Sequence, residues 1–328
     1  MGFECAWENG SPMEPLILGA IAFIISLLLL YVGAKKTLQG AVCLANSLYI
    51  NKVVTGTVVV ASITALPELM SSLVAVFWES SHLALGNLIG SNIYNVPLII
   101  GLCGLIREFK MKNSSVVTES AFIIILSSLF ALIIILTGQV TWWLGLIFLF
   151  AYPLFIYYSI RKSNNNHEGN GNGNPKKALV YMIFGGAVLL SGTVLLVRSA
   201  LLISEVFGLK EFYVGLTITA VGCIIPEAAV SIFAALQGEQ EISIGNVIGD
   251  NIITITLVFG LVAIIVPLRG HSFDVALPEI LTTVPFMVLV TVLLLFMSRA
   301  HQRITKPLSI LMLIIAAISF IAQTIFLA

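Results

Sequence analysis

The sequence predicts an all-α integral membrane protein with ten transmembrane helices in two inverted-topology five-helix repeats. Three observations predict it. The chain is 59% hydrophobic and only 10% charged, with mean hydropathy +1.06, far too little charge to cover a water-facing surface. Apolar stretches of about 20 residues recur along it, each long enough to cross a hydrocarbon core. A constant offset of 159 residues superimposes one half on the other without a gap.

Taken in order, hydropathy and breakers place helices at 15–46, 52–77, 82–106, 114–136, 140–161, 177–205, 211–236, 241–267, 276–298 and 305–327. The first 14 residues carry Glu4, Glu8 and Glu14 and no Lys or Arg. They lack the basic start of a signal peptide and read as an acidic lead-in. The one long polar insert, Ser163–Lys177, is an Asn- and Gly-rich run too polar to pack, hence a flexible linker. The expected organisation is a first repeat over 1–161, a linker over 162–176 and a second repeat over 177–328.

Basic residues test the count of spans. The linker side holds Lys35, Lys36, Lys52, Arg107, Lys110, Lys112, Arg161, Lys162, Lys176, Lys177, Arg299, Arg303 and Lys306, against Arg198, Lys210 and Arg269 opposite. Positive charge accumulates on the cytoplasmic side. The linker is therefore expected in the cytoplasm of a multi-pass cell-membrane protein, with both termini outside.

The repeat is densest between 56–101 and 215–260, with 14 identities in 46 pairs. Pro67-Glu68 matches Pro226-Glu227, Gly86-Asn87 matches Gly245-Asn246, and Asn92-Ile93 matches Asn251-Ile252. Lipid exposure does not favour such residues. Five helices is an odd number, so the second repeat enters the membrane upside down. Inverted repeats mark secondary transporters, whose sites lie near midplane where the repeats meet.

Of the 16 acidic residues, Glu68, Glu227 and Asp250 fall deep inside predicted spans. An ionised group at that depth costs roughly 3 kcal/mol or more unless compensated. No Lys, Arg or His lies at matching depth, which leaves a bound cation or protons to balance them. Each Glu follows a proline, which removes one backbone hydrogen bond and displaces the carbonyl four residues earlier, that of Ile63 or Gly222. Glu68, Thr64 and Ala61 share a helix face by spacing, as do Ser91 with Asn95 and Asp250 with Thr254. The hydroxyls and amide fit either ligand roles or helix–helix hydrogen bonds. Two Glu, an Asp, an Asn and freed carbonyls suit calcium, which takes six to eight oxygens.

Other classes fit poorly. The four cysteines, Cys5, Cys43, Cys103 and Cys223, form no metal spacing, and the four histidines fall in or near loops, against zinc or copper. The deep residues offer no aspartate pair, Ser–His pair or HExxH, so no enzyme is expected, and no cofactor. A channel lacks a visible pore-loop filter. No basic tract suggests nucleic acid, and no obligate protein partner is evident; the lipid bilayer is the expected surroundings.

At these residues the chain resembles the cation/calcium exchanger superfamily, especially prokaryotic sodium/calcium exchangers. The motif is Pro-Glu followed about 18 residues on by Gly-Asn-x-Ile-Gly-x-Asn, present in both halves. The resemblance implies that spans 52–77, 82–106, 211–236 and 241–267 form the ion cluster. It implies ligands at Glu68, Glu227, Thr64, Ser91 and Asn95 and at the carbonyls of Ala61 and Ala220. It also implies that spans 15–46 and 177–205 slide to alternate access.

Departures from the family pattern are specific. Sodium-coupled relatives read Gly-Thr-Ser-Leu-Pro-Glu in both halves; here stand Ile63-Thr64-Ala65-Leu66-Pro67-Glu68 and Gly222-Cys223-Ile224-Ile225-Pro226-Glu227. Hydroxyls are lost at Ala65, Cys223 and Ile224. Relatives often carry Ser then Asp four residues on, whereas this chain has Asp250 then Thr254. The expected activity is calcium export in exchange for sodium, with proton-coupled exchange of calcium or another divalent cation as the alternative.

Overall fold

A computed structural model describes residues 13–47, 55–110, 121–123, 125–127, 129–130, 133, 137–163, 174–238, 240–270, 274–297, 299 and 303–327. The acidic lead-in, most of the linker and much of the predicted span 114–136 lie outside the described residues.

The described chain is overwhelmingly helical. Helix α1 is Met13–Ser47. Helix α2 runs through Thr55–Val60, Ala61–Thr64 and Leu66–Phe77, and α3 spans Ser81–Ile106. Then come α4 (Trp142–Ser163) and α5 (Pro175–Phe207). Helix α6 comprises Glu211–Val214, Gly215–Thr219 and Ala220–Gln237. Helix α7 comprises Gln240–Ile253, Thr254–Val258 and Phe259–Leu268. Helices α8 (Leu277–Phe296) and α9 (Lys306–Leu327) complete the set. Helical residues between 121 and 137 mark a further segment, seated by the Phe122–Phe155 stack and by Phe130 against Phe148 and Phe259. Among the described residues, eight helices are long and apolar enough to cross a membrane, and Ala61–Phe77 is a shorter apolar helix.

Burial separates core from periphery. In the most apolar window of α3, 78% of residues are buried, against 28% for α9, which presents Ile325 and Phe326 outward. In a bilayer such outward apolar side chains face lipid.

The helices cross where glycine removes the side chain. A Cβ on Gly86 of α3 would lie 2.1 Å from the Phe212 carbonyl oxygen of α6, and one on Gly249 of α7 would lie 2.3 Å from the Thr57 carbonyl oxygen of α2. Close backbone approach at small residues is how membrane helices gain packing energy without a hydrophobic drive. The packing is reciprocal. Helix α3 lies on the 215–219 turn of α6, and α7 on the 55–60 turn of α2. The end of α3 meets α9 at Gly101 beside Ser309, and the end of α7 meets α4 at Gly260 beside Gly145. Helices α1 and α5 lie along one another, with Gly33, Gly185 and Gly192 at the contact. That pair rests on the core through α1 against α6 and α5 against α2.

The four core helices are not regular. Each contains a widened π turn, at Thr55–Val60, Val96–Ile100, Gly215–Thr219 and Thr254–Val258. The 159-residue offset maps the first onto the third and the second onto the fourth to within one residue. Their local causes differ. Pro97 lacks the N–H a regular turn needs. Thr217 and Thr256 donate their hydroxyls to the carbonyls of Tyr213 (2.7 Å) and Ile252 (2.6 Å), a competition for the i−4 acceptor that bends helices.

The prolines before the glutamates act unequally. Helix α2 is interrupted at Ala65, just before Pro67, whereas α6 continues as α-helix through Pro226. The matched distortion expected from the prolines comes instead from the π turns upstream of them. Such local adjustments rehouse backbone groups that a membrane proline leaves free.

Candidate cation site

Glu68 on α2, Glu227 on α6 and Asp250 on α7 converge: one carboxylate oxygen of each lies within 4.8 Å of the others. All three side chains are fully buried. Glu68 of the first half meets Glu227 and Asp250 of the second because α2, α3, α6 and α7 cross at their glycine notches. Both oxygens of Glu68, both of Glu227 and Oδ1 of Asp250 have no hydrogen-bond partner among the described residues. Three carboxylates brought this close, with five of their oxygens orphaned, are untenable as bare charges in a low-dielectric interior. A cation at their centre satisfies all of them, and so do protons.

The remaining sequence-derived candidates ring this cluster in different ways. Asn95 on α3 donates its amide to Asp250 Oδ2 and to Asn251 Oδ1 (2.9 Å), while its own Oδ1 is unpartnered. Ser91 Oγ and Thr254 Oγ1 are buried with no partner among the described residues. Thr64 donates to Asn246 Oδ1 at 3.0 Å, so its hydroxyl hydrogen has a helix–helix use. The Ala61 carbonyl accepts from the Ala65 N–H at 2.9 Å and lies 3.4 Å from the Thr64 hydroxyl. Ala220 sits at the helix crossing, where a Cβ on Gly90 would come within 2.7 Å of its own Cβ.

Sequence reasoning passed over a frame of amides behind the carboxylates. Asn87 donates to Ser71 (2.8 Å) and Ser72 (3.0 Å), one turn beyond Glu68. Its repeat mate Asn246 donates to Ser231 at 3.1 Å, one turn beyond Glu227. Asn251 reaches the Asn92 carbonyl at 3.4 Å. The signal was present in the matched Gly-Asn pairs, read only as repeat markers. The amides fix α3 against α2 and α7 against α6 and so hold the glutamates in register.

The comparison with known proteins rests on the same helices. The family model described as sodium/calcium exchanger protein matches residues 18–161 and 177–325. The chain belongs to the sodium/calcium exchanger family. Its relatives include a putative antiporter, CaxA, from Alkalimonas amylolytica, 31% identical over 77% of this chain and 82% of that one. The sodium/calcium exchanger MaX1 from Methanosarcina acetivorans is 26% identical over 86% of this chain and 92% of its own. Among solved structures, the sodium-calcium exchanger NCX_Mj soaked with sodium and strontium superimposes with TM-score 0.74 at 25% identity, covering 93% of this chain and 98% of that one. This exchanger-family chain is thus an all-α membrane protein of the cation/calcium exchange class. The two matched blocks stop short of the linker on either side, where the chain is Asn- and Gly-rich.

Proposed function

We propose that this chain is a secondary-active antiporter that exports calcium in exchange for sodium by alternating access. The observation that carries the reading is the set of three buried carboxylates, one oxygen of each within 4.8 Å of the others, with five of their six oxygens unpartnered among the described residues. Calcium takes carboxylate and amide oxygens in flexible geometry. Glu68, Glu227 and Asp250 supply the charge; Asn95, Ser91, Thr254, Thr64 and the carbonyls of Ala61 and Ala220 complete the shell. Exchange follows from electrostatics: an empty site holds uncompensated carboxylates in low dielectric, so crossing is favourable only when loaded.

The architecture we propose for this is ten spans in inverted halves, 1–161 and 177–328, joined by a cytoplasmic linker at 162–176, with both termini outside. The reciprocal glycine crossings and the paired π turns support it. The α1–α5 pair, tied to itself along its length and to the core on two lines, is the element that slides.

The test is flux in sealed vesicles with imposed sodium and proton gradients. An outward-directed sodium gradient drives calcium uptake, and Glu68→Gln or Glu227→Gln abolishes it. Near-normal calcium flux in both variants defeats the site assignment. A second reading, proton coupling, is favoured by the hydroxyls missing at Ala65, Cys223 and Ile224. Calcium uptake driven by a pH gradient in sodium-free medium selects it.

A further inference from the structure

Helix α1, half of the proposed sliding pair, also rests on α6. Between the two runs a groove of about 280 Å³, walled by Tyr31 of α1 and by Phe233 and Leu236 of α6. These three side chains are exposed, so the groove opens to the hydrocarbon around the bundle. Its volume is near the lower bound of pockets that hold small molecules, roughly 300 Å³. None of its lining residues belongs to the cation site. Two polar side chains complete the lining, Lys35 and Gln39, one and two turns beyond Tyr31 along α1. Lys35 is the one charged residue in it. The neighbouring Lys36 is engaged elsewhere: its ammonium lies 5.3 Å from the centre of the Tyr181 ring and 3.5 Å from Gln39 Oε1. Lys177 shares that ring at 5.6 Å. The Lys35 ammonium and the Gln39 amide nitrogen are thus the donors at the groove mouth. Every described charged residue at this end of α1 and α5 is basic: Lys35, Lys36, Lys176 and Lys177.

We propose that this groove binds an anionic phospholipid, whose phosphate pairs with Lys35 and whose acyl chain lies against Phe233 and Leu236, and that the bound lipid restrains α1. An apolar slot with a cationic mouth matches a molecule with a tail and a negative head. A free phosphate has nothing to place in the slot, and a zwitterionic head brings its own ammonium toward Lys35. The restraint rests on the exchange reading above. The lipid bridges α1, which slides, to α6, which carries Glu227, and so favours this arrangement of the two over any other. Turnover falls as the groove fills.

Native mass spectrometry of the purified full chain, titrated in detergent with phosphatidylglycerol or phosphatidylcholine of identical chains, tests the site. The first phosphatidylglycerol is expected to bind about fivefold more tightly than phosphatidylcholine, the scale of one basic residue at an anionic surface. Lys35→Gln removes that preference, and Arg303→Gln, outside the groove, keeps it. Ala229→Leu, which puts a larger side chain into the lining, weakens both lipids; Ala229→Val read alongside guards against a folding failure. Glycerol phosphate, a head without chains, does not displace the lipid. Equal affinity for the two lipids, a preference that survives Lys35→Gln, or displacement by glycerol phosphate overturns the proposal. So does a dimer that excludes the lipid, which would give the groove to a second copy. In vesicles, a rising fraction of phosphatidylglycerol slows wild-type calcium exchange relative to Lys35→Gln, and identical responses overturn the restraint. Protein that prefers phosphatidylglycerol but moves no calcium upholds the lipid site and removes the exchange reading. Protein that moves calcium without the preference removes the lipid site alone.

Discussion

At the scale of single residues, the site is a problem of unpaired acceptors. Ionised carboxylates only accept hydrogen bonds, and among the described residues the one donor side chain that reaches the carboxylates of the three acids is Asn95, on Asp250. Asn95 and Asp250 therefore behave as a pair. Asp250→Asn removes a charge from the cluster and Asn95→Asp adds one beside it, so each alone lowers calcium transport. The exchanged double variant, Asn95→Asp/Asp250→Asn, restores the count of carboxylates and the amide–carboxylate bond. Its transport is expected to exceed the product of the single effects by a coupling of roughly 0.5–3 kcal/mol, read from initial rates of calcium uptake across the four-protein cycle. Additive behaviour would mean the two side chains do not act on the same ion. Glu68, Glu227 and Asp250 stood out in the sequence because a carboxylate at such depth needs a counter-charge or a proton. The roles of Asn246 and Asn87 were not, because an amide reads the same whether it touches a helix, a ligand or lipid.

At the scale of helices, glycine decides how near the carboxylates come. The α3–α6 crossing has no room for a methyl group at Gly86, where a Cβ would meet backbone at 2.1 Å. Backbone cannot rotate aside as a side chain can. Gly86→Ala is therefore expected to destabilise the fold by roughly 1–3 kcal/mol, seen as a lower midpoint of thermal unfolding in detergent. Gly186→Ala is the control, since nothing lies within 4 Å of a Cβ there, and alanine is the better helix former; its midpoint holds or rises. Equal midpoints for the two variants would remove close packing from the account. The π turns belong to this scale too. Proline gave notice of one, at Pro97, but Thr217 and Thr256 produce others through a hydroxyl bond that exists only once the helix has formed.

At the scale of the whole molecule, the proposed sidedness rests on where basic residues accumulate. Two short contacts join distant loops: Phe109–Lys110 pairs antiparallel with Arg303–Ile304, and Gln139 bridges to Asp274. The first joins loops that the proposed ten-span topology assigns to the basic side, the second loops that it assigns to the opposite side. A membrane-impermeant thiol reagent applied to intact cells is expected to label Lys210→Cys and to spare Lys176→Cys, in a chain lacking Cys5 and Cys43. The opposite pattern would invert the topology and, with it, the assigned direction of calcium movement.

The sequence alone determined the solvent, the helical class, the repeat and the three acids, because each is written in composition or in spacing along the chain. Hydrocarbon leaves no other way to satisfy a backbone than helix or closed barrel. Only the tertiary structure decided that Glu68, Glu227 and Asp250 share one point and that Thr64 serves Asn246. Those are meetings between helices. They depend on crossing points set by missing side chains and widened turns, and no periodicity within one helix encodes which face of another it will touch.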